Sequence, residues 1–293
     1  MTLPEAYFRA TVIRTERLTS VMLRVVLGGD GLTEFVSSGA ADEWLRIMVP
    51  PERQPKVQLP RRSGSHWEFP NPQPAPRWYS VRRWDDQRRE LWIELVRHDG
   101  GLAIRWAEQS EAGDQVIISQ PHGRLAGIEA DWMLIIADQT GIPAATRILE
   151  ELPSGQAVQA LFEAPEESAT NAMKSAAALK ISWVFNPRPD AMDSPLAEVA
   201  RSIELPPGEG FVWMAGEASC ARDIRRYFRH ELKWRSSRYD IVGYWRPQQE
   251  AYARRYRQIE DQVGRVYDRG QAAGKDQESI LDDVFSMMER HGL

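Results

Sequence analysis

The hydrophobic pattern of this chain changes near Asp131, and no single regular architecture accommodates both patterns. Before that point the chain consists of short β-rich stretches separated by turn signals such as Gly28-Gly29-Asp30-Gly31. After it, nearly continuous apolar runs alternate with helical segments, which is typical of strands buried on both faces. Two domains of different architecture are therefore predicted, and 293 residues are enough for both.

The first pattern predicts an antiparallel β-barrel domain over residues 1–127. Six β-rich stretches recur at the spacing of a small barrel: residues 8–14, 21–27, 44–49, 78–83, 91–96 and 115–119. Residues 50–76 are rich in proline, arginine and serine, and we expect them to form a long surface loop inside that barrel.

The second pattern predicts an α/β domain with a mostly parallel sheet over residues 128–247. A helix is expected over 143–152, with Pro143 at its first position, and another over 220–233, capped by Ser219. The five apolar runs that should form the sheet are residues 132–137, 158–162, 181–185, 211–215 and 239–245.

A helical C-terminal extension is predicted over residues 248–293. Apolar residues recur at helical spacing from Tyr252 to Val266 and again from Ile280 to Met288. Gly270 and Gly274 are expected to break the chain between the two helices. Both helices should pack by their apolar stripes, either over the α/β domain or across a dimer interface.

Composition excludes several classes of function. Cys220 is the only cysteine, so an internal disulfide, a cysteine-ligated iron–sulfur cluster and a four-cysteine zinc site are all excluded. With 37 basic and 42 acidic residues the net charge is −5, which disfavours a nucleic-acid binder. We see neither a signal peptide nor a membrane span, and we expect a cytoplasmic protein that is a monomer or a homodimer. We expect no protein-bound metal. Any redox chemistry would therefore need an organic cofactor.

Residues 77–82, Arg-Trp-Tyr-Ser-Val-Arg, carry the strongest chemical signal. Flavin reductases also have a barrel followed by an α/β domain. Flavin binding is therefore one function that residues 77–82 could serve. The Arg77 guanidinium matches a pyrophosphate, the Tyr79 ring can lie against an isoalloxazine, and the Ser80 hydroxyl can bind a ring nitrogen. The same residues also fit an ordinary β-strand with exposed arginines.

Two loops have the character of ligand-binding turns. Residues 98–107 follow a strand and lead through Gly100 and Gly101 into a short helix, whose N–H groups can approach a phosphate. Residues 137–144 connect a buried strand to a helix, at the place where open α/β sheets bind ligands. A plain turn remains the alternative for each loop, and neither contains G-x-G-x-x-G.

Together these segments resemble the siderophore-interacting family of FAD-dependent ferric-siderophore reductases, relatives of the ferredoxin reductases. The resemblance runs from about Tyr7 to Arg246. Five ordered segments carry it: residues 77–82 (family R-P-Y-[TS]-x-R), 98–107 (H-G-x-x-G-P-A-S-R-W-A), 138–144 (D-E-T-A-L-P-A), 213–217 (W-x-A-G-E) and 243–246 (G-Y-W-R). Ile104 and Gln139 depart from the family's serine and glutamate, and residues 120–124 match its G-P-R-G loop only loosely.

The resemblance implies a flavin site and an acceptor site. No side chain is expected to act as a catalytic acid or base, because the flavin carries the electrons. An anionic ferric siderophore would be bound by Arg46, Arg124 and Arg246, although each can equally be a surface or pyrophosphate contact. The FAD-binding residues are predicted to be Arg77, Trp78, Tyr79, Ser80, His98, Gly100, Gly101, Leu102, Ala103, Asp138, Thr140 and Trp245.

The electron donor is left open between NADH, NADPH and ferredoxin. Arg222, Arg225, Arg226 and Arg229 share one helix face, which could hold the 2′-phosphate of NADPH, dock an acidic ferredoxin or simply be solvated. Two other functions also fit the sequence. One is a flavin reductase of the same fold with another acceptor, such as a quinone or a partner protein, and the other is a siderophore-binding module with little turnover.

Overall fold

The structure is a computed structural model that describes residues 5–64, 66–98, 100–125, 127, 129–170, 173–187 and 194–293. An N-terminal barrel is followed by a five-stranded sheet with helices on both faces and then by two helices. The predicted fold class is confirmed.

Six antiparallel strands close the barrel in the order β1-β2-β7-β6-β3-β8. Alternate side chains fill its interior, among them Leu45, Ile47 and Val81, and the neighbouring side chains of these strands face outward. The strands are β1 (Tyr7–Arg17), β2 (Met22–Gly28), β3 (Trp44–Val49), β6 (Ala75–Asp85), β7 (Glu90–Val96) and β8 (Gln115–Ser119), and helix α1 (Leu102–Gln109) follows β7.

The prediction that residues 50–76 form one long surface loop was wrong in part. Strands β4 (Arg61–Ser63) and β5 (His66–Glu68) pair as a short antiparallel hairpin, and Ala75 and Pro76 already belong to β6. Strands of three residues leave too little alternation in the sequence to be recognised from it.

All strands of the second sheet are parallel, in the order β11-β10-β9-β12-β13. The connection after β9 runs to β10 on one side, and the connection after β12 runs to β13 on the other, so the open sheet has its switch point between β9 and β12. The elements are β9 (Trp132–Ala137), α2 (Ile142–Glu151), β10 (Ala157–Ala164), β11 (Ala178–Phe185), α3 (Leu196–Ser202), β12 (Gly210–Glu217), α4 (Ala218–Arg226) and β13 (Tyr239–Trp245).

Helix α4 is capped by Glu217, so the predicted Ser219 cap was wrong. The Glu217 carboxylate accepts hydrogen bonds from the backbone N–H groups of Ser219 and Cys220, at 2.7 and 2.9 Å. A carboxylate is a stronger acceptor than a hydroxyl at the positive end of a helix. The α-helix also ends earlier than predicted and continues as a π-helical turn, Tyr227–Glu231.

Two helices form the C-terminal extension, α5 (Gln249–Ala272) and α6 (Gln277–Arg290). The predicted break at Gly270 was wrong, because α5 continues through it. A Cβ at Gly270 would come within 2.6 Å of Cγ1 of Ile280, so glycine here permits close packing of the two helices. Gly274, with φ +68°, lies in the turn between them. None of the described helices combines the length and the hydropathy needed to cross a membrane.

Ion pairs fix the barrel against the α/β domain. The Arg147 guanidinium on α2 lies 2.9 Å from the carboxylate of Glu43, which is fully buried just before β3, and it also donates to the Val81 carbonyl. Arg82 on β6 makes two hydrogen bonds, of 2.6 and 2.8 Å, to Glu150. The outer face of β3 and β6 is thereby held against the second domain.

Candidate functional site

Strands β3 and β6 present a polar and aromatic outer face. Their register places Trp44 opposite Ser80 and Arg46 opposite Trp78. Since the residues between them on β3 point into the barrel, these four side chains lie outside. The segment singled out from the sequence is therefore part of a composite surface to which β3 contributes equally.

Ser80 is the most informative residue of this face. It is 6% exposed, and its Oγ has no hydrogen-bond partner among the described residues. A buried hydroxyl left unpaired costs about 1 to 3 kcal/mol. The position suits a ligand with a hydrogen-bonding ring atom. A flavin has such atoms, so the unpaired Ser80 hydroxyl fits a bound flavin.

Tyr244 on β13 brings the α/β domain to the same place. Burial raises the pKa of Tyr244, and the nearby Ser80 hydroxyl opposes that rise, although the two groups do not reach hydrogen-bonding geometry. Ser80 consequently lies at the boundary between the domains. A ring bound at Ser80 would be within reach of the second domain.

Arg77 and Tyr79 lie on the other side of β6 from Ser80. Arg77 is exposed and donates one hydrogen bond, of 2.9 Å, to the carbonyl of Pro76, so its guanidinium stays available to a ligand. Tyr79 packs partly against the barrel core, and burial raises its pKa to about 12. Their predicted contacts with FAD stay predictions.

The glycine turn before α1 has the geometry of an uncapped helix start. Gly100 has φ +79°, and no side chain of the described residues caps the helix at Gly101. A Cβ on Gly101 would lie 2.5 Å from the His98 ring, so the histidine packs directly on the turn. Leu102 packs against the barrel core and Ala103 is buried within it, which leaves backbone N–H groups as the donors at this end. Asp99 lies outside the described residues.

Asp138, Thr140 and Trp245 form an internal clasp at the carboxyl ends of the strands. The Asp138 carboxylate accepts hydrogen bonds from the Thr140 hydroxyl at 2.6 Å and from the Trp245 indole N–H at 2.7 Å. Burial raises the pKa of Asp138, and these hydrogen bonds oppose the rise. Thr140 and Trp245 both bind the Asp138 carboxylate, which joins the loop after β9 to the end of β13. Direct contact between them and a cofactor stays a prediction.

The switch point itself is closely packed. A Cβ at Gly141 would come within 2.4 Å of the Ala215 carbonyl oxygen, and one at Gly216 within 2.8 Å of the Asp138 carboxylate. Glycine therefore lets the loop after β9 lie directly on the end of β12. The backbone at this edge is positioned by these contacts.

The three arginines predicted for the acceptor have separate partners, and each contacts an aromatic ring. Arg46 pairs with Glu5, and Arg124 lies 3.3 Å from Asp240 and 5.4 Å from the Trp44 ring. Arg246 lies at the other end of β13, 3.8 Å from the Tyr252 ring on α5. Arg46 and Arg124 are thus near one surface through Trp44, whereas Arg246 is held by the C-terminal extension.

The arginine face of α4 is covered by α6. Arg225 is buried and lies 2.6 Å from both Glu278 and Asp282, and Arg229 lies 2.7 Å from Asp282. Arg222 and Arg226 approach Glu289 at 3.8 and 2.8 Å. This pairing was not predicted from the sequence. The signal was the set of acidic residues that α6 carries on one face.

Comparisons with known proteins match nearly all of the chain up to the C-terminal extension. The family model described as Siderophore-interacting FAD-binding domain matches residues 11–125, and that described as Siderophore-interacting protein matches residues 130–248. An uncharacterized protein of Mycobacterium tuberculosis is 31% identical over 253 residues, which are 80% of this chain and 88% of the relative.

One further relative and one solved structure are informative. The NADPH-dependent ferric-chelate reductase of Escherichia coli is 29% identical over 239 residues, covering 80% of this chain and 91% of its own. The crystal structure of a siderophore utilization protein from T. fusca superimposes with a TM-score of 0.75 at 31% identity, covering 85% of this chain and 95% of that one.

Proposed function

This chain belongs to the siderophore-interacting protein family, and from that premise we propose that it is an FAD-dependent reductase that releases iron from ferric siderophores as Fe(II). The unpartnered Ser80 hydroxyl, buried where the barrel meets the α/β domain, is the observation that carries the proposal. The relationship to an NADPH-dependent ferric-chelate reductase supports it.

FAD, when bound, would supply two-electron chemistry toward a hydride donor and one-electron chemistry toward Fe(III). The residues of this chain bind and orient it. We propose that Ser80 binds a ring atom, that Arg77 pairs with the diphosphate, and that the N–H groups at the start of α1 approach a phosphate. The clasp of Asp138, Thr140 and Trp245 would position the nicotinamide-facing edge of the second domain.

We propose that the donor is NADH or NADPH and that ferredoxin does not dock on α4. The helix face that could attract an acidic protein is already paired with α6, and its most buried member, Arg225, has two carboxylate partners. A cytoplasmic location, where both nucleotides are available, follows from this donor. We propose a monomer, since the apolar stripes of α5 and α6 pack on each other.

The acceptor side of the proposal depends on positive charge. Arg46 and Arg124 lie near the outer face that contains Ser80, and a ferric siderophore with anionic oxygen ligands would be attracted there although the whole chain is acidic. Iron that has become Fe(II) binds hard oxygen ligands less tightly, so release follows reduction without a protein-bound metal site.

An anaerobic titration tests this function against its alternatives. The purified yellow protein is mixed with NADH or NADPH, and a ferric siderophore is then added together with a colorimetric Fe(II) chelator. Bleaching of the flavin followed by Fe(II) capture is expected. Bleaching without Fe(II) would favour a reductase with another acceptor, and absence of bleaching by either nucleotide would favour a binding module with little turnover.

A further inference from the structure

Trp78 is an indole displayed on the surface next to the proposed flavin site. It is 57% exposed although it lies in a barrel strand, and so large an exposed aromatic side chain on a binding face calls for an explanation. Trp78 and Ser80 are two residues apart on the same face of β6, about 7 Å along the strand. A molecule resting on the indole would therefore lie close to anything bound at Ser80.

Arg46 lies between two aromatic rings on this face. Its guanidinium carbon is 5.2 Å from the centre of the Trp78 ring and 5.5 Å from that of Tyr7. Its Nε is buried without a partner among the described residues, and its carboxylate contact is the half-exposed Glu5. Arg46 and the rings of Tyr7 and Trp78 thus form a continuous surface. The contact with Glu5 shows that a carboxylate can bind the Arg46 guanidinium here.

The β4–β5 hairpin holds one of these rings in place. Trp67 and Phe69 both meet the Tyr7 ring edge to face, each with a centroid distance of 5.2 Å. Such contacts fix the orientation of a ring without covering its other side. The hairpin, which interrupts the long loop before β6, is therefore a support for the surface formed by Tyr7, Arg46 and Trp78, which we name the aryl face.

We propose that the aryl face is an acceptor subsite that selects anionic ferric chelates whose ligands are aromatic, such as tris-catecholates, over aliphatic ones. The indole would stack on a catecholate ring, while Arg46 attracts its ionised oxygens in competition with Glu5. This selectivity rests on the proposed function, because the chelate must reach the flavin to be reduced. A neutral trihydroxamate offers neither the ring nor the charge, and a citrate complex offers only the charge.

Binding is measured separately from reduction by the use of Ga(III) complexes, which have the charge and size of the Fe(III) complexes and are not reduced. Calorimetric titrations of the flavin-loaded protein use Ga(III) tris-catecholate, Ga(III) citrate and a Ga(III) trihydroxamate. Trp78→Ala should weaken tris-catecholate binding about tenfold, the effect expected for the loss of one aromatic contact and its cation–π partner. Binding of the other two complexes should change by less than about twofold, the level of a surface substitution.

Three further variants sharpen the test. Trp78→Phe should restore most of the tris-catecholate affinity, and Arg46→Gln should weaken both anionic complexes. Tyr267→Ala, which removes an exposed ring of α5, should change nothing. Equal weakening of all three complexes by Trp78→Ala would overturn the proposal, as would no weakening at all. Loss of flavin from Trp78→Ala would also overturn it, since the indole would then belong to the cofactor site.

The proposed function fails by a different result. If reduced wild-type protein is not reoxidised by any of the three Fe(III) complexes, the chain is not a ferric-chelate reductase. If it is reoxidised by all three with the same dependence on their concentration, reduction stands and the selectivity of the aryl face is overturned.

Discussion

In protein stripped of flavin, Ser80 lowers the free energy of unfolding, because its buried Oγ has no partner among the described residues. Ser119 is the natural comparison. It is equally buried, but its Oγ accepts a hydrogen bond from the backbone N–H of Arg46 and donates one to the Gln120 carbonyl. The fold satisfies the Ser119 hydroxyl, and we propose that a bound ligand satisfies that of Ser80.

Ser80→Ala should therefore stabilise the flavin-free protein and weaken flavin binding. We expect a gain of about 1 kcal/mol in the free energy of unfolding of the stripped protein and a severalfold higher Kd for FAD, since one neutral hydrogen bond is worth about 0.5 to 1.5 kcal/mol. Ser119→Ala should lower stability in both forms. Urea unfolding and a flavin-fluorescence titration measure the two quantities, and a destabilised Ser80→Ala would show that its hydroxyl has a structural partner.

Arg77→Ala should yield protein with little bound FAD. The exposed Arg77 guanidinium, whose one hydrogen bond to a described residue goes to the Pro76 carbonyl, can pair with a diphosphate. Charge-assisted hydrogen bonds are worth about 1.5 to 3 kcal/mol. Arg83→Ala on the same strand is the matched control, because Arg83 approaches Asp85 at the surface. Absorbance in the flavin bands of the purified variants decides the matter, and full occupancy in Arg77→Ala would remove Arg77 from the site.

At the scale of elements, a buried ion pair joins α2 to the start of β3, which Glu43 immediately precedes. Arg147→Ala would leave the carboxylate of Glu43 buried without its cation, which typically costs about 3 to 5 kcal/mol. The double variant Glu43→Gln with Arg147→Met should recover much of that loss, because no uncompensated charge remains. Chemical denaturation measures both. A double variant as unstable as Arg147→Ala alone would mean that shape, and not charge, holds the two elements together.

The contact between α4 and α6 should weaken in acid. Burial acts to raise the pKa of Asp282, but hydrogen bonds from Arg225 and Arg229 outweigh it, so the pKa is lowered overall. A carboxyl group with a lowered pKa in the folded state contributes stability above its unfolded pKa of about 3.9, and that contribution disappears as the pH falls through the folded value.

Asp282→Asn should accordingly cost about 1 kcal/mol near neutral pH, a value reduced because the pair is partly exposed, and progressively less as the pH falls below about 3.9. Asp283→Asn, which removes an exposed partner of Lys275, should cost little at either pH. Free energies of unfolding between pH 3 and pH 7 give the comparison. A pH-independent difference would show that Asp282 acts by packing.

Elements with strong periodicity were predictable from the sequence, whereas contacts between distant elements were not. The strands of both sheets were visible because alternation and continuous apolar runs report burial directly. The β4–β5 hairpin was too short to leave a pattern, and Gly270 was interpreted as a break because its close contact with Ile280 lies in another helix. The arginines of α4 could not be assigned a role until the carboxylates of α6 were placed beside them.

The candidate site shows the same division. Residues 77–82 were identified from local chemistry, and Ser80 and Trp78 both lie on the outer face of β6, while their binding roles stay predictions. Tyr7, Trp67 and Phe69 meet because the β4–β5 hairpin packs against β1. No local sequence pattern predicts that contact. Asp138 and Trp245 are 107 residues apart and meet only because β9 and β13 end at the same edge of the sheet.

At the scale of the whole molecule, the barrel and the sheet meet at one boundary, and each contributes to it. Ser80 and Arg46 come from the barrel and Tyr244 from the last strand of the sheet, while the C-terminal extension packs on α4 away from the barrel strands. A flavin bound at such a boundary could accept electrons from a donor on the side of the sheet and pass them to an acceptor on the side of the barrel. The central property to measure is therefore the passage of electrons through this protein to chelated iron.

Single-turnover stoichiometry measures this directly. Flavin-loaded protein is reduced anaerobically with one equivalent of NADH or NADPH and mixed with excess ferric tris-catecholate in the presence of an Fe(II) chelator, with the Ga(III) complex as the control that cannot be reduced. About two Fe(II) should be captured for each FAD reoxidised, because the cofactor gives up two electrons and each iron accepts one. Reduced flavin that persists in the presence of the ferric complex, or that is reoxidised without Fe(II), would contradict it.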